Sequence, residues 1–471
     1  MGQILESVLD ELKKLAAIPR PSKHEEKISN FLRDYLKSYG FEVFQDSVKN
    51  IIAEIPASEG KENFPRTILQ AHMDMVCVAE ENYKFDALND PIKLIRTEEF
   101  LTAEGTSLGA DDGMGIAEIL YIAKNHKDFS HGPIRIIFTV DEEQGMTGAK
   151  NLDEKYLDAE FYINCDSEIF DEIVVGSAGS IHVDFLRKIN YTAPKFSNAF
   201  KIKFGGLHGG HSGIEIDKDY INAVKLMTKF LNVLKVKEKI QLAKFEGGSA
   251  PNVIPSTAEI IIVTDSTQEK ISAYTSDLQK IYIDAEPNFK IEIAPVSLPE
   301  KVFGAEDFEK LVALISTIHS GVYSMKGNFP LSSANIGVLR TAENIEVKIL
   351  ARSNVSSKIE NFVETFAQVA KLTDFEINFA TPTPVWNYNP ESRLTKIVAD
   401  IFERQNNFAP KIHLSHGGLE CSFFSAKNPA LDIVSIGTTN ENIHSPQERL
   451  RLKTVEPHVN LIIETLKQIA E

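Results

Sequence analysis

The sequence is poor in cysteine and has no long apolar run. Only three of the 471 residues are cysteine (Cys77, Cys165 and Cys421), and they lie far apart with no CxxC motif. This usage argues against a disulfide framework and favours a reducing compartment. No apolar run reaches membrane-spanning length, and the N-terminal residues are too charged for a signal peptide. We therefore expect a cytoplasmic protein with no membrane partner.

Basic charge is also in short supply. The chain carries 50 Lys and Arg against 67 Asp and Glu, which gives a formal net charge of −17 at pH 7. This balance argues against nucleic acid as a partner, because nucleic-acid binding needs a basic face. A small substrate, and a site that accepts metal cations, fit the charge better. The composition, 43% hydrophobic and 25% charged, is typical of a globular protein with more than one core.

The order of helical and strand patterns predicts an inserted domain. Helices alternate with short apolar strands up to about residue 180, which favours an α/β domain with a mostly parallel or mixed sheet. A β-α-β-β-α-β pattern typical of the ferredoxin-like unit follows, then a partial second copy. The α/β pattern then resumes. We predict an α/β domain of residues 1–184 and 385–471, with an inserted α+β ferredoxin-like domain at 185–384. Ser22 and Glu25 match a capping box that would start the second helix.

The stretch "QAHMDMV", residues 70–76, ends a predicted buried strand with two polar residues. His72 and Asp74 are two positions apart, so in a strand they point to the same face. Buried charges are costly unless they are paired or bound to metal. The motif alone leaves two interpretations open, a metal-ligand pair or a core histidine beside a turn-forming aspartate.

Further acidic and histidine residues follow other predicted strands. In open α/β sheets, ligands bind beyond the carboxyl ends of the strands. Imidazole nitrogens and carboxylate oxygens are ligands that Zn²⁺ takes in proteins. The repetition at several strand ends therefore predicts a metal site. The stretches are "SLGADDG" (Asp111, Asp112), "VDEEQG" (Asp141, Glu142, Glu143), "INCDSE" (Asp166, Glu168) and "NENIHSPQE" (His444).

In this combination the chain resembles the co-catalytic di-zinc peptidases, a family that includes carboxypeptidase G, the aminoacylases, the peptidase T tripeptidases and carnosinase. The resemblance implies a mixed-sheet α/β catalytic domain, an inserted lid domain, and hydrolysis of a small peptide substrate by a water that two Zn²⁺ ions activate. It also implies that Co²⁺ or Mn²⁺ can substitute. The pieces that carry it run in the family's order from residue 70 to 448: "AHMDMV", "LGADDGMGIA", "DEEQGMTGA", "INCDSE", "GLHGGHSG", "HGGLEC" and "IHSPQE".

The resemblance assigns five metal ligands. It implies that His72 and Asp166 hold one zinc ion, that Glu143 and His444 hold the other, and that Asp111 bridges the two. A cis peptide bond after the bridging aspartate is also a property of the family. Asp112 is then a neighbour that forms hydrogen bonds or tunes the site.

The resemblance also implies roles for residues beside the ligands. Asp74 would orient the ring of His72, and Glu142 would be the general base that takes a proton from the attacking water. The opposite assignment, with Glu142 as the ligand, stays open. Asp141 is expected to be structural.

Several lid residues match the family's substrate contacts. His211 would reach the substrate carbonyl, from its own subunit or from a partner's, or it would simply pack in its glycine-rich turn. His208 is a second candidate in the same loop. Asn252 matches a substrate-contact motif. Arg352 would clamp a carboxylate, because arginine binds carboxylates in a fork geometry, unless it is a surface strand residue.

The "HGGLEC" stretch adds backbone contacts. Gly417 and Gly418 would let backbone N–H groups approach the substrate. His413 and His416, just before them, are expected to be loop or edge residues rather than ligands, because five ligands are already supplied.

The family's pattern at the third carboxylate discriminates between reactions. Asp at this position, here Asp166, goes with substrates that have a free N-terminus. We therefore expect a dipeptidase of broad specificity that includes Xaa-His peptides, rather than an N-acyl amino acid amidohydrolase. "GGLEC" and the extended lid favour it over a tripeptide aminopeptidase. A non-catalytic metal-binding scaffold is disfavoured because Glu142 and all five ligands are present. A monomer and a homodimer through the lid both remain open.

Overall fold

The computed structural model describes residues 2–471, and the chain divides into two compact units. Unit 1 contains residues 2–177, 386–415 and 419–471, and unit 2 contains residues 178–385 and 416–418. The domain boundaries expected from the sequence, at 184/185 and 384/385, stay a prediction. None of the helices in the described range is long and apolar enough to cross a membrane.

The helices and strands are numbered in chain order. The helices are α1 Gln3–Ala16, α2 Glu26–Ser38, α3 Ala110–Lys124, α4 Thr147–Asn151, α5 Ala223–Lys237, α6 Gln268–Tyr282, α7 Ala305–Thr317, α8 Ser356–Thr373, α9 Arg393–Asn406, α10 Cys421–Lys427 and α11 Val455–Ile469. The strands are β1 Glu42–Gln45, β2 Ile51–Ile55, β3 Thr67–His72, β4 Leu94–Arg96, β5 Phe100–Ala103, β6 Ile134–Thr139, β7 Phe161–Asn164, β8 Glu172–Ser177, β9 Gly179–Lys188, β10 Tyr191–Thr192, β11 Asn198–Gly205, β12 Ile240–Gly247, β13 Ala258–Thr264, β14 Lys290–Pro295, β15 Val302–Phe303, β16 Gly321–Lys326, β17 Phe329–Thr341, β18 Asn344–Ser353, β19 Glu376–Phe379, β20 Lys411–Ser415, β21 Asp432–Ser435, β22 Asn440–Glu441 and β23 Arg449–Arg451.

Unit 1 is built on a mixed sheet with the order β1-β2-β6-β3-β7-β21-β8-β20. The central strands β6, β3, β7 and β21 are parallel to their neighbours in this series. The β1–β2 and β2–β6 pairings are antiparallel. The predicted mixed-sheet α/β class is confirmed. Since the central strands are parallel, their carboxyl ends meet at one edge of the sheet.

Both faces of this sheet are buried. On β6, Ile134, Ile136 and Phe138 join the larger core with α1, α3 and α11, whereas Ile137 joins a second core beside α10. This two-sided burial explains why the central strands read as nearly unbroken apolar runs. Most side chains of the central strands are therefore apolar, and the charged residues lie near the strand ends.

The capping box predicted at Ser22 and Glu25 is wrong. Helix α2 begins at Glu26, and no side chain in the described part of the chain caps its N-terminus. The Ser22 hydroxyl instead donates to Asp74 Oδ2 at 2.8 Å, and Glu25 Oε1 accepts from the Asp141 amide at 2.9 Å. Both side chains thus hold strand-end loops, because those loops carry buried polar groups that need partners.

Unit 2 contains the predicted β-α-β-β-α-β unit. Elements β11-α5-β12-β13-α6-β14 form it, and their strands lie in the order β14-β11-β13-β12. A second copy of the β-α-β-β-α-β pattern continues the sheet through β17, β18, β9 and β19. Its helices α7 and α8 share one core with α5 and α6. The inserted unit is therefore α+β, as expected.

The second copy takes its first strand from before the first copy. Strand β9 pairs antiparallel with both β18 and β19. The sequence pattern predicts only a partial second copy that starts near residue 306. The strand β9 was missed because the whole first copy lies between it and the other elements of the second copy. The first copy is thus inserted within the second.

We expect β9 to be essential for the fold of unit 2. A fragment of residues 178–385 should unfold cooperatively, whereas a fragment of residues 189–385 should not, because β18 and β19 lose the strand that lies between them. Thermal melts followed by circular dichroism test this, and a synthetic peptide of residues 178–188 should restore the transition. Identical cooperative melts of the two fragments would contradict the prediction.

Candidate metal centre

Acidic and histidine residues lie at the ends of three neighbouring strands, at one edge of the unit 1 sheet. Strand β3 ends at His72, β6 ends three residues before Glu142, and β7 ends two residues before Asp166. The strands run parallel, with β3 between β6 and β7. Ligand sites of α/β sheets lie at this edge, beyond the carboxyl ends of the strands.

The five predicted ligands come together around Asp111. Asp111 Oδ1 lies 3.0 Å from His72 Nε2, and Asp111 Oδ2 lies 3.1 Å from His444 Nε2. His444 Nε2 is also 2.9 Å from Glu143 Oε1, and His72 Nε2 is 3.4 Å from Asp166 Oδ1. The cluster therefore has two halves that share the Asp111 carboxylate.

Asp112 contacts backbone rather than the histidine rings. Its Oδ2 accepts from the His72 amide at 3.2 Å, and its Oδ1 accepts from the Gly115 amide at 3.1 Å. The Asp111–Asp112 peptide bond is cis. One ligand atom each from His72, Asp112 and Asp166 lies within 4.8 Å of the others, as is true of His72, Asp111 and Glu143. Asp112 thus adjoins the cluster while its carboxyl holds the chain around it.

Asp74 connects His72 to both glutamates. Its carboxylate accepts from the amides of Glu142 at 3.0 Å and Glu143 at 3.2 Å, besides the Ser22 hydroxyl. Asp74 Oδ1 lies 3.4 Å from His72 Nδ1, an ion-pair distance rather than a good hydrogen bond. Burial disfavours its charge, but His72 and these donors lower the pKa of Asp74. An ionised Asp74 can therefore hold the ring and the glutamate loop together.

In the ligand cluster, two histidine rings supply the positive charge that several carboxylates contact. Burial opposes the charge of His444, but Asp111 and Glu143 outweigh it and raise its pKa to about 11. Burial, followed by the charge of Asp111, raises the pKa of Glu143 to about 7. Burial raises the pKa of Asp166 to about 6, although His72 opposes the shift. Protonated imidazoles therefore offset only part of the negative charge of the carboxylates in the metal-free protein.

The donor set fits two divalent cations. Two imidazoles and three carboxylates supply the nitrogen and oxygen ligands of zinc, and metals bind histidine in its neutral form. Bound cations would displace the imidazole protons and would then supply the positive charge next to these carboxylates.

Glu142 occupies a different environment from Glu143. Its side chain is partly buried, and burial raises its pKa well above the usual value, with Asp166 and Glu143 adding to the shift and His72 opposing it. Asp141 turns the chain with φ 55° and accepts a hydrogen bond from the Thr147 hydroxyl. A carboxyl with a raised pKa can hold a proton near neutral pH.

In unit 2 the structure brings His211 and Asn252 into neighbouring loops. His211 forms an isolated bridge with Val253, and the Ser212 amide donates to Asn252 O at 2.8 Å. His211 Nδ1 accepts from the amides of Gly213 and Ile214, both at 3.3 Å. His208 lies elsewhere: its Nδ1 is 2.5 Å from Glu286 Oε2 and its ring stacks on Tyr220.

Arg352 lies on β18 with its side chain buried, not on the surface. It is 7% exposed, its Nε has no hydrogen-bond partner among the described residues, and within unit 2 no carboxylate forms an ion pair with it. Burial lowers its pKa to about 10. A buried guanidinium without a counter-ion is costly, so this position favours an anionic ligand.

Segment 416–418 connects Arg352 to the His211 loop. Burial, then the charge of Arg352, lowers the pKa of His416 to about 3. Its ring nitrogens lie 2.8 Å from Ser333 Oγ and 2.9 Å from Asn354 Oδ1. A Cβ on Gly213 would lie 3.3 Å from the Gly417 Cα, so the two loops touch next to Gly418. His413 is on the edge strand β20, 2.8 Å from Glu172.

Sequence reasoning missed a buried polar network beneath the cluster. Glu420 Oε2 accepts from Gln70 Nε2 at 2.7 Å and from the Thr139 hydroxyl at 2.6 Å. Asn164 Nδ2 donates to Gln70 Oε1 at 2.6 Å. Burial raises the pKa of Glu420 to about 8. The available signal was one polar residue near the end of each apolar strand: Gln70 in "TILQAH", Thr139 in "IRIIFT" and Asn164 in "FYIN". Such residues indicate a network because buried polar groups need partners.

Zinc binding is expected to release at least two protons per chain at pH 7, since His72 and His444 must give up theirs to bind metal and Glu143, with a pKa of about 7, is also partly protonated. The pKa values of both histidines are raised, so both rings are protonated at this pH and zinc affinity falls as the pH falls. Calorimetric titrations in buffers of different ionisation enthalpy measure the release. His444→Gln should release about one proton fewer, whereas the edge-strand control His413→Gln should match the unaltered protein. Binding heats that do not depend on the buffer would contradict the prediction.

Comparisons with known proteins agree with the motifs. Residues 68–468 match Peptidase family M20/M25/M40. The cytosol non-specific dipeptidase of Escherichia coli (strain K12) is 32% identical over 472 residues, which covers 98% of this chain and 97% of that protein.

Solved structures give the same result. The crystal structure of aminoacylhistidine dipeptidase from Vibrio alginolyticus is 32% identical, with a TM-score of 0.83 over 98% of this chain and 96% of that one. Aminopeptidase PepT from Bacillus cereus ATCC 10987, at 18% identity and a TM-score of 0.58 over 99% of both chains, shares the fold. The resemblance read from the motifs is confirmed, and the protein belongs to Peptidase family M20/M25/M40.

Proposed function

We propose that the protein is a cytoplasmic two-zinc dipeptidase that hydrolyses dipeptides with a free N-terminus, Xaa-His peptides among them. The observation that carries the proposal is the Asp111 carboxylate, whose two oxygens contact two different histidines. Such a carboxylate suits a bridge between two metal ions. Two relatives that are each 32% identical over 98% of this chain carry the names cytosol non-specific dipeptidase and aminoacylhistidine dipeptidase.

Each proposed ligand has a supporting contact. His72 and Asp166 would hold one zinc ion and Glu143 and His444 the other, with Asp111 shared. Bound zinc supplies Lewis acidity, which polarises the scissile carbonyl and lowers the pKa of water. The 2.9 Å contact of Glu143 Oε1 with His444 Nε2 favours Glu143 over Glu142 as the ligand. Co²⁺ or Mn²⁺ is expected to substitute for zinc.

Glu142 would act as the general base. It would take a proton from the attacking water and pass it to the leaving amine. Its raised pKa suits a group that must hold a proton between these two steps. Asp74 supports this role because it fixes the Glu142 amide at 3.0 Å.

His211 would donate a hydrogen bond to the substrate carbonyl oxygen. Its Nδ1 accepts two backbone N–H groups, so a neutral His211 carries its proton on Nε2. A donor aimed at the developing negative charge would stabilise the transition state. The residue could act in its own subunit or, in a homodimer formed through unit 2, in the partner's.

Charged groups would recognise the two termini of a dipeptide. Arg352 would bind the terminal carboxylate, and Asn252 and the backbone at Gly418 would be further substrate contacts. At the other end, a protonated amine would suit Asp166 and Glu168. Burial, then the charges of Asp111 and Asp166, raises the pKa of Glu168 to about 8, and a protonated amine bound there would favour its ionised form. An N-acyl group would remove that cation.

Glu142→Gln is expected to keep both metals and to lower kcat by about 10²–10⁴-fold, because glutamine has nearly the same shape but cannot accept the proton. Metal analysis and steady-state kinetics on a dipeptide test this. Glu154→Gln, an exposed glutamate of the same unit, is the matched control and should keep normal kcat. A normal kcat in Glu142→Gln would remove that residue from the mechanism.

The proposed substrate class can be tested with a free dipeptide, its C-terminal amide and its N-acetyl derivative. The unaltered protein should prefer the free dipeptide, and Arg352→Ala should lower kcat/KM for it by about 10- to 100-fold, since hydrogen bonds to charged groups contribute about 1.5–3 kcal/mol. The variant should also lose its preference over the amide. Lys348→Ala removes a positive charge from the same strand and should change neither value.

Two outcomes would contradict the substrate proposal. Retained preference for the free carboxylate in Arg352→Ala would remove the anchor. Faster turnover of N-acetyl amino acids than of any free dipeptide would replace the dipeptidase with an amidohydrolase.

A further inference from the structure

Arg20 holds two strand-end loops against each other. It lies in the loop before α2 and is 2% exposed. Its Nη1 donates to Met73 O at 3.0 Å and to Asp74 O at 2.9 Å, and its Nη2 donates to Gly109 O. One planar guanidinium therefore joins the chain after His72 to the loop that leads into Asp111. A lysine would offer one nitrogen to acceptors that the arginine fork meets with two.

Glu448 holds the opposite side of the same loop. It is 2% exposed, and its Oε2 accepts from the amides of Leu108 at 2.8 Å and Gly109 at 3.0 Å. Its Oε1 accepts from the amides of Ala110 at 2.8 Å and Asp111 at 3.4 Å. Glu448 follows His444 by four residues, so its carboxylate joins the His444 loop to the Asp111 loop.

The glycines of this loop leave space for Arg20. Gly109 has φ 69°, and a Cβ there would lie 2.7 Å from Arg20 Nη2. A Cβ on Gly113 would lie 2.5 Å from the same nitrogen. The chain on both sides of Asp111 is thus shaped around the guanidinium, which indicates a fixed arrangement.

We propose that Arg20 and Glu448 are positioning residues that set the distances between the metal ligands. Arg20 sets the Asp111 loop against His72, and Glu448 sets it against His444. The inference rests on the proposed two-metal site. Both residues act through backbone groups of residues 108–111, and neither is offered as a ligand. Groups that orient ligands typically change metal affinity by about 10–100-fold when they are altered.

A purely structural role makes a different prediction. Loss of buried hydrogen bonds would lower stability without favouring one metal over the other. Positioning acts unequally on the two ions. Arg20→Lys should weaken mainly the ion held by His72 and Asp166, and Glu448→Gln mainly the ion held by Glu143 and His444, with a smaller effect on the other ion through the shared Asp111. In Glu448→Gln, an amide NH₂ would face backbone N–H groups that need an acceptor.

The test is calorimetric titration of Zn²⁺ into the metal-free protein, beside thermal melts. His72→Ala and His444→Ala assign the two binding events. Each positioning variant should weaken its own event by about 10–100-fold and leave the other within a few-fold. Arg33→Lys and Glu464→Gln make the same chemical changes in surface ion pairs of unit 1 and should bind both ions normally.

Two further variants allow the test if Arg20→Lys or Glu448→Gln fails to fold. Gly113→Ala would place a Cβ 2.5 Å from Arg20 Nη2 and displace the guanidinium without removing it, so it should weaken the His72 event more than the His444 event. Glu448→Asp shortens the carboxylate and should weaken the His444 event.

The outcomes separate the inference from the function it rests on. Two normal binding events in Arg20→Lys and Glu448→Gln, or equal weakening of both events in each, would overturn the positioning roles. Failure of the unaltered protein to bind two zinc ions would instead overturn the proposed two-metal site.

Discussion

The arrangement of unit 1 depends on one carboxylate that faces two imidazoles. Burial disfavours the charge of Asp111, yet hydrogen bonds from His444 and His72 lower its pKa below the usual range. Glu143 and Asp166 compete for the same positive charge, and their pKa values are raised. The cluster is therefore short of positive charge, and this shortage, rather than any single ligand, makes the site attract cations.

Such a cluster needs rigid surroundings, and the fold supplies them through buried polar groups. Glu420, Gln70 and Thr139 form hydrogen bonds beneath the ligands, where apolar side chains would leave the strand ends less defined. Asp74 holds the glutamate loop on the other side. These polar groups sit between two apolar cores, where each must find a partner, and that requirement restricts the sheet edge to few arrangements.

The sequence predicted the parts of the site that depend on local patterns. His72, Glu143 and Asp166 lie at or just after the ends of apolar strands, which located the stretches that contain them, and the family resemblance then assigned them as ligands. Long-range partners were not accessible in this way. Ser22 and Glu25 satisfy the capping pattern, but their side chains bind residues far along the chain. Likewise, the sequence left Arg352 open between a carboxylate clamp and a surface strand residue, and only the packing shows that it is buried.

The nested order of the two β-α-β-β-α-β copies bears on how the chain acquires its structure during synthesis. The strands of the first copy are near one another in sequence, so its contacts have low contact order and can form early. Strand β9 leaves the ribosome before that copy, but its partners β18 and β19 come after it. Until then β9 is an unpaired strand, the kind of segment that promotes aggregation. Translation rate and chaperone supply should therefore affect the yield of this protein through that one strand.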